Sequence, residues 1–164
     1  MEKSLTGLRV GLGYDIHPFI EGKKLVLGGV TIPGHLGLSG HSDGDVVCHA
    51  LMDSLLGAAS LPDIGNWFPN QDERFLGVYS LLLLEQIIDR IRGDGWEIIN
   101  FDCIVIAEFP LINPYVMEMK QNLSRVTGVE VQSIGLKATT NEKLGSLGKG
   151  EGIACLSVCL IWKN

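Results

Sequence analysis

Apolar and polar positions alternate along Leu8–Tyr14, with Val10, Leu12 and Tyr14 two apart, and this period predicts a strand. The run continues into GYDIHPF, Gly13 to Phe19, where an acid and an imidazole interrupt an otherwise apolar stretch. Side chains two apart in a strand point the same way, so Asp15 and His17 should converge on one face. KLVLGGVTIPG is strand-like, broken by Gly28-Gly29 and stopped near Pro33. From Asp45 the period becomes helical: Val46, Val47, Ala50, Leu51, Ser54, Leu55 and Ala58 form an apolar-to-small stripe, and the acids of SDGD suit a helix start. After the turn-rich LPDIGNWFPNQDE, Val78–Arg92 predicts a second helix ended by Gly93 and Gly95. EIINFDCIVIAEF reads as one long strand or a strand pair. Asn113-Pro114 opens a third helix that runs to about Thr127 and closes at Gly128. SIGLKATT and GIACLSVCLIW read as core strands flanking a glycine-rich loop. Strands alternating with helices predict an α/β layer fold. With no repeat, low-complexity stretch or linker, residues 1–164 read as a single domain.

Composition narrows the function. A net charge of −6 without a basic patch argues against nucleic acid. An anionic ligand would need metals and local N–H donors to supply positive field. Cys48, Cys103, Cys155 and Cys159 form no C-x-x-C pair, so they read as reduced and buried rather than as a redox or thiolate zinc motif. MEKSLTGLRVGLGY lacks the apolar core of a signal peptide, and no uncharged run approaches the roughly 20 residues that span a bilayer. The expectation is a soluble cytoplasmic protein with no membrane partner.

The histidines are His17, His35, His41 and His49. His49 lies on the first predicted helix, four residues from both Asp45 and Asp53, which predicts a shared face. An Asp-x-His strand plus one helix histidine makes three protein ligands, and three ligands with an open fourth position is how catalytic zinc is held. On spacing, His41 could equally replace His49, and the alternative is a set of separate polar residues. HSDGD precedes a helix and could attract an anion or simply cap. In KATTNEK, Lys137, Thr139 and Thr140 suit phosphate oxygens while Glu142 would repel them, unless Glu142 holds a divalent cation that bridges the phosphates. Gly11-x-Gly13 lacks the third glycine of a dinucleotide fingerprint, and GSLGKGEG is no P-loop.

Six stretches in order, GYDIHPF, GGVTIP, HSDGDVVCHALMDSLLGAA, DIGNWFP, KATTNEKLG and GKGEGIA, resemble the 2-C-methyl-D-erythritol 2,4-cyclodiphosphate synthase family from about Arg9 to Ile161. The resemblance implies an α/β two-layer sandwich, a mixed β-sheet on one side and helices on the other. It also implies a homotrimer with active sites at the subunit interfaces. Asp15, His17 and His49 match the family's zinc ligands. Glu142 matches the ligand of a second divalent ion, Mg2+ or Mn2+. His41 and Ser42 match substrate-binding positions, with His41 assigned to transition-state stabilisation and Thr140 beside it as the second catalytic contact. Asp63, Ile64 and Gly65 match the loop holding the methylerythritol hydroxyls, next to Phe68. Ala107, Pro110, Leu111, Ile112 and Asn113 match the cytosine pocket. Ala138, Thr139, Thr140 and the adjoining Asn141 match nucleotide and diphosphate contacts. Ser146 and Lys149 border the substrate tail and an axial cavity of the trimer, where the partner would be an isoprenoid diphosphate.

This chain departs from the family pattern in several places. Leu12 stands where His is frequent, and no basic residue lies near position 111. Ser146, Lys149 and Leu156 replace a common aromatic, an Arg and an acid. The implied reaction is intramolecular: the 2-phosphate of 4-diphosphocytidyl-2-C-methyl-D-erythritol 2-phosphate attacks the β-phosphorus, releasing CMP and closing the cyclic diphosphate. Phosphoryl transfer needs positioning and charge neutralisation more than covalent help. The rival readings are a zinc-dependent phosphohydrolase and a noncatalytic trimer that captures isoprenoid diphosphates.

Overall fold

The structure, a computed structural model, describes residues 7–164. The first six residues of MEKSLTGLRVGLGY, on which the signal-peptide reading falls in part, lie outside the described residues. A five-stranded mixed sheet is built from β1 (Leu8–Ile20), β4 (Gly37–Leu38), β5 (Glu97–Ile106), β6 (Ile134–Thr139) and β7 (Gly152–Trp162), in the order β4-β1-β7-β5-β6. β5 and β6 run parallel; the other neighbours are antiparallel. A separate hairpin pairs β2 (Leu25–Leu27) with β3 (Val30–Ile32). Its turn, Gly28-Gly29, has φ of 54° and 71°, the left-handed pair that a two-residue hairpin loop requires. EIINFDCIVIAEF therefore supplies one strand, not two.

Three long helices, α1 (Val46–Ala58), α3 (Ser80–Gly93) and α4 (Val116–Thr127), cover one face of the sheet. The short α2 (Ile64–Trp67) and α5 (Gly145–Gly148) are single turns in loops. Helix α1 packs on β1 and β7 below and on α3 beside it, which explains why VVCHALMDSLLGA is apolar almost all round. Helix α3 buries Leu83, Leu84, Ile87, Ile88 and Ile91 at helical spacing and leaves its charged face to solvent. Helix α4 closes where Gly128, with φ of 66°, donates its N–H to the Ser124 carbonyl.

Strand β1 inverts the expected arrangement. Its alternating apolar residues face away from the helices: Val10 is 67% and Leu12 68% exposed, and Tyr14 and Ile16 lie on the same side. The inner face carries Gly11, Gly13, Asp15 and His17 instead. The two glycines have a steric purpose. A Cβ on Gly11 would sit 1.8 Å from the Ser54 carbonyl oxygen, and one on Gly13 would sit 1.9 Å from that of Ala50. Helix α1 thus lies directly on the β1 backbone. That contact brings the His49 turn down to the level of Asp15 and His17.

Candidate active site

Asp45, fully buried, caps α1. Its carboxylate accepts from Val47 N and Cys48 N and also from Gly28 N and Gly29 N at 2.9 and 2.8 Å, locking the helix start to the hairpin turn. The HSDGD segment is therefore a cap, and its helix terminus is filled by the chain's own acid. Asp45 and Asp53 do not share a site with His49, contrary to the four-residue spacing: Asp45 turns to the hairpin, and Asp53 accepts from Ile64 N at 2.9 Å.

His49 meets the acid-imidazole pair of β1. Its Nδ1 lies 2.9 Å from Asp15 Oδ2 and 3.2 Å from His17 Nε2, and His17 Nε2 is 2.9 Å from the same Asp15 oxygen. Two imidazole nitrogens and a carboxylate oxygen at such separations need protons or a cation between them. A tetrahedral ion with bonds of roughly 2.0–2.1 Å would space its ligand atoms about 3.3 Å apart, close to what is observed. Two imidazoles and one carboxylate are a donor set suited to zinc and to other late divalent metals. Among the described residues, this is the one grouping of three His, Cys, Asp or Glu ligand atoms. Burial would raise the Asp15 pKa, but hydrogen bonds and charge from His17 and His49 outweigh it and hold the carboxyl well below the usual range. Burial would lower His49; the bond to Asp15 and that carboxylate's charge outweigh it and raise the imidazole.

The far side of the His49 ring is equally defined. Its Nε2 lies 3.0 Å from both Ser42 Oγ and Ser80 Oγ, and the Ser80 hydroxyl donates to Asp43 at 2.5 Å. His41 takes no part in the triad. Its Nε2–H donates to the Asp72 carbonyl at 2.9 Å, which settles the choice between the two histidines. His35 is exposed.

The triad lines a cavity of about 230 Å³. Its walls collect eight residues named from sequence: Asp15, His17, His41, Ser42, His49, Ile64, Gly65 and Phe68. Asp63 stands at its edge as the cap of α2, accepting from Gly65 N at 2.9 Å. Asn70 and Phe75 also line the cavity and carry no sequence signal. Among the described residues, Asp15 is the only carboxylate in the lining.

The remaining predicted residues gather elsewhere on the same rim. Ile16, Ala154, Ile106 and Thr139 are in register across β1, β7, β5 and β6, so the end of β6 lies three strand spacings from the triad, about 14 Å. Ala107, Pro110, Leu111, Ile112 and Asn113 follow β5, and Ala138, Thr139, Thr140, Asn141 and Glu142 end β6. Glu108, inside the stretch matched to the cytosine pocket but given no role of its own, joins the two loops by accepting from Asn141 N at 2.9 Å and Lys143 N at 3.3 Å. Thr140 Oγ1 donates to Glu142 at 3.2 Å, and both side chains are exposed, as are Leu111, Ser146 and Lys149. None of these residues lines the cavity of the triad.

The YgbB family model matches residues 8–162. The chain belongs to the YgbB family. Two relatives named 2-C-methyl-D-erythritol 2,4-cyclodiphosphate synthase are about half identical to this YgbB chain. The Prochlorococcus marinus (strain MIT 9215) protein is 54% identical over 95% of both chains, and that of Synechocystis sp. is 53% identical over 98% of this chain and 99% of its own. Solved structures of the same type superpose closely. IspF of Plasmodium falciparum, in complex with CDP, is 35% identical with a TM-score of 0.84 and covers 98% of this chain and 99% of its own. The bifunctional IspDF of Campylobacter jejuni is 41% identical with a TM-score of 0.91, this YgbB chain spanning 42% of it.

Proposed function

We propose that this enzyme converts 4-diphosphocytidyl-2-C-methyl-D-erythritol 2-phosphate to 2-C-methyl-D-erythritol 2,4-cyclodiphosphate and CMP, in isoprenoid precursor biosynthesis. The observation that carries the reading is the Asp15, His17 and His49 triad in the lining of a cavity walled by the 40–42 and 64–68 segments. It occurs in a chain that matches synthases of this name over nearly its full length. The substrate supplies its own nucleophile, so the protein's task is to hold the 2-phosphate in line with the β-phosphorus. When bound, zinc on Asp15, His17 and His49 and magnesium or manganese on Glu142 would neutralise phosphate oxygens and polarise phosphorus. His41 and, from a neighbouring subunit, Thr140 would hydrogen-bond those oxygens as charge develops. Asp63 and the turn it caps receive the hydroxyls of the methylerythritol, and the loops at 107–113 and 138–142 receive the cytidine diphosphate part.

The relatives that this chain matches over nearly its full length are named as synthases, which disfavours a hydrolase that ionises water. Among the described residues of the cavity lining, the Asp15 carboxylate is engaged by two imidazoles and His41 is tied by Nε2 to the Asp72 carbonyl, so neither stands free as a general base. Incubation with the cytidyl substrate should release CMP and the cyclic diphosphate in equal amounts. An open-chain phosphate as the main product would defeat the assignment.

The reading includes a homotrimer. The sheet's outer face exposes Val10, Leu12, Tyr14, Ile16 and Val158 together, an apolar surface suited to burial against copies of itself. The exposed nucleotide loops of one subunit would then complete the cavity of its neighbour. A cytoplasmic location fits four free, buried cysteines, and no described helix is long and apolar enough to cross a membrane. Coexpressing inactive His49→Ala and Thr140→Ala chains should recover about a quarter of wild-type activity, because each intact site needs one half from each variant. Full activity in a monomer by light scattering would refute the shared site.

A further inference from the structure

The His49 ring touches the triad with one nitrogen and a polar network with the other. We propose that Ser80, held by Asp43, is a positioning residue that keeps the proton on His49 Nε2 and so leaves Nδ1 bare for the metal. The inference rests on the metal reading of Asp15, His17 and His49. It follows from counting protons. The Asp43 carboxylate accepts from Ser80 N at 3.1 Å, from Asp45 N at 3.2 Å and from Ser80 Oγ at 2.5 Å. A hydroxyl has one proton, and a 2.5 Å contact to a carboxylate is where it lies. Toward His49, at 3.0 Å, Ser80 therefore offers only a lone pair. A bare Nε2 would set lone pair against lone pair in a fully buried place; a protonated Nε2 donates.

Ser42 suits either tautomer and leaves the choice to Ser80. Its hydroxyl accepts from Gly44 N at 3.3 Å, lies 3.0 Å from the same Nε2 and is 3.2 Å from Ser80 Oγ, so it can accept from a protonated ring nitrogen or donate to a bare one or to Ser80. Ser42 also lines the cavity, whereas Ser80 does not, so Ser80 reaches the chemistry only through His49. Metal-bound histidines generally donate their second nitrogen in this way, and loss of the partner weakens metal binding about 10–100-fold.

The test compares zinc affinity, by chelator competition, in wild type, Ser80→Ala and Ser80→Thr, with nitrogen NMR of the His49 ring in zinc-loaded wild type. Ser80→Ala should bind about 10–100-fold more weakly, and Ser80→Thr, which restores the hydroxyl, should stay within about threefold of wild type. The NMR should show the His49 proton on Nε2. Wild-type affinity in Ser80→Ala, or a proton on Nδ1, would overturn the proposal while leaving the metal site intact. Wild type that binds no metal would overturn the site itself. If Ser80→Ala does not fold, the wild-type ring spectrum alone decides.

Discussion

His49→Ala should purify folded and carry under about a tenth of the wild-type metal. The ring supplies one of only three protein ligands, so its loss should exceed the roughly 10–100-fold cost of losing an outer partner. Turnover should fall in parallel, since Asp15 and His17 alone hold too few donors to retain an ion against buffer. Folding should survive, because α1 keeps its Asp45 cap and its apolar contacts with the sheet, and alanine favours the helix. Elemental analysis of dialysed protein checks this. Full metal in the variant would mean that the ligand set is wrong.

Gly13→Ala should have a comparable effect from a position that touches no ligand. The new Cβ would lie 1.9 Å from the Ala50 carbonyl oxygen and 2.7 Å from Ser54 N, both backbone atoms that cannot rotate aside. Helix α1 must lift from β1, carrying His49 away from Asp15 and His17. Overpacking of this kind costs about 3 kcal/mol, and the entropy gained on losing a glycine, about 0.5–1 kcal/mol, does not offset it. Thermal unfolding and metal content measured together should both fall. A variant with wild-type stability and metal would show that the close approach of α1 does not set the site.

The parts of the site that sequence revealed are those with a local period. Asp15 and His17 share a face because any strand alternates, and His49 falls on the first helix because the stripe around it is helical. Spacing alone could not choose between His49 and His41; a hydrogen bond to a carbonyl 31 residues away does. The glycines of Gly11-x-Gly13 failed as a nucleotide fingerprint, and only the position of α1 shows what they are for. Val10, Leu12 and Tyr14 gave the correct strand on the unexpected side, because alternation reveals two faces without saying which the helices cover. Ser80 had no signature, its partners lying 37 and 31 residues distant at Asp43 and His49. Glu108 had no signature either, because the backbone N–H groups it holds, at Asn141 and Lys143, are 33 and 35 residues away.

The central claim is that the substrate's own phosphate, and not water, attacks the β-phosphorus. The direct measurement is turnover in oxygen-18 water with mass spectrometry of both products. A tethered phosphate held in line reacts at an effective concentration that can be worth on the order of 7–11 kcal/mol, which a water molecule must outcompete. CMP and the cyclic diphosphate should both be unlabelled. Solvent oxygen in either product would make water the nucleophile and contradict the account.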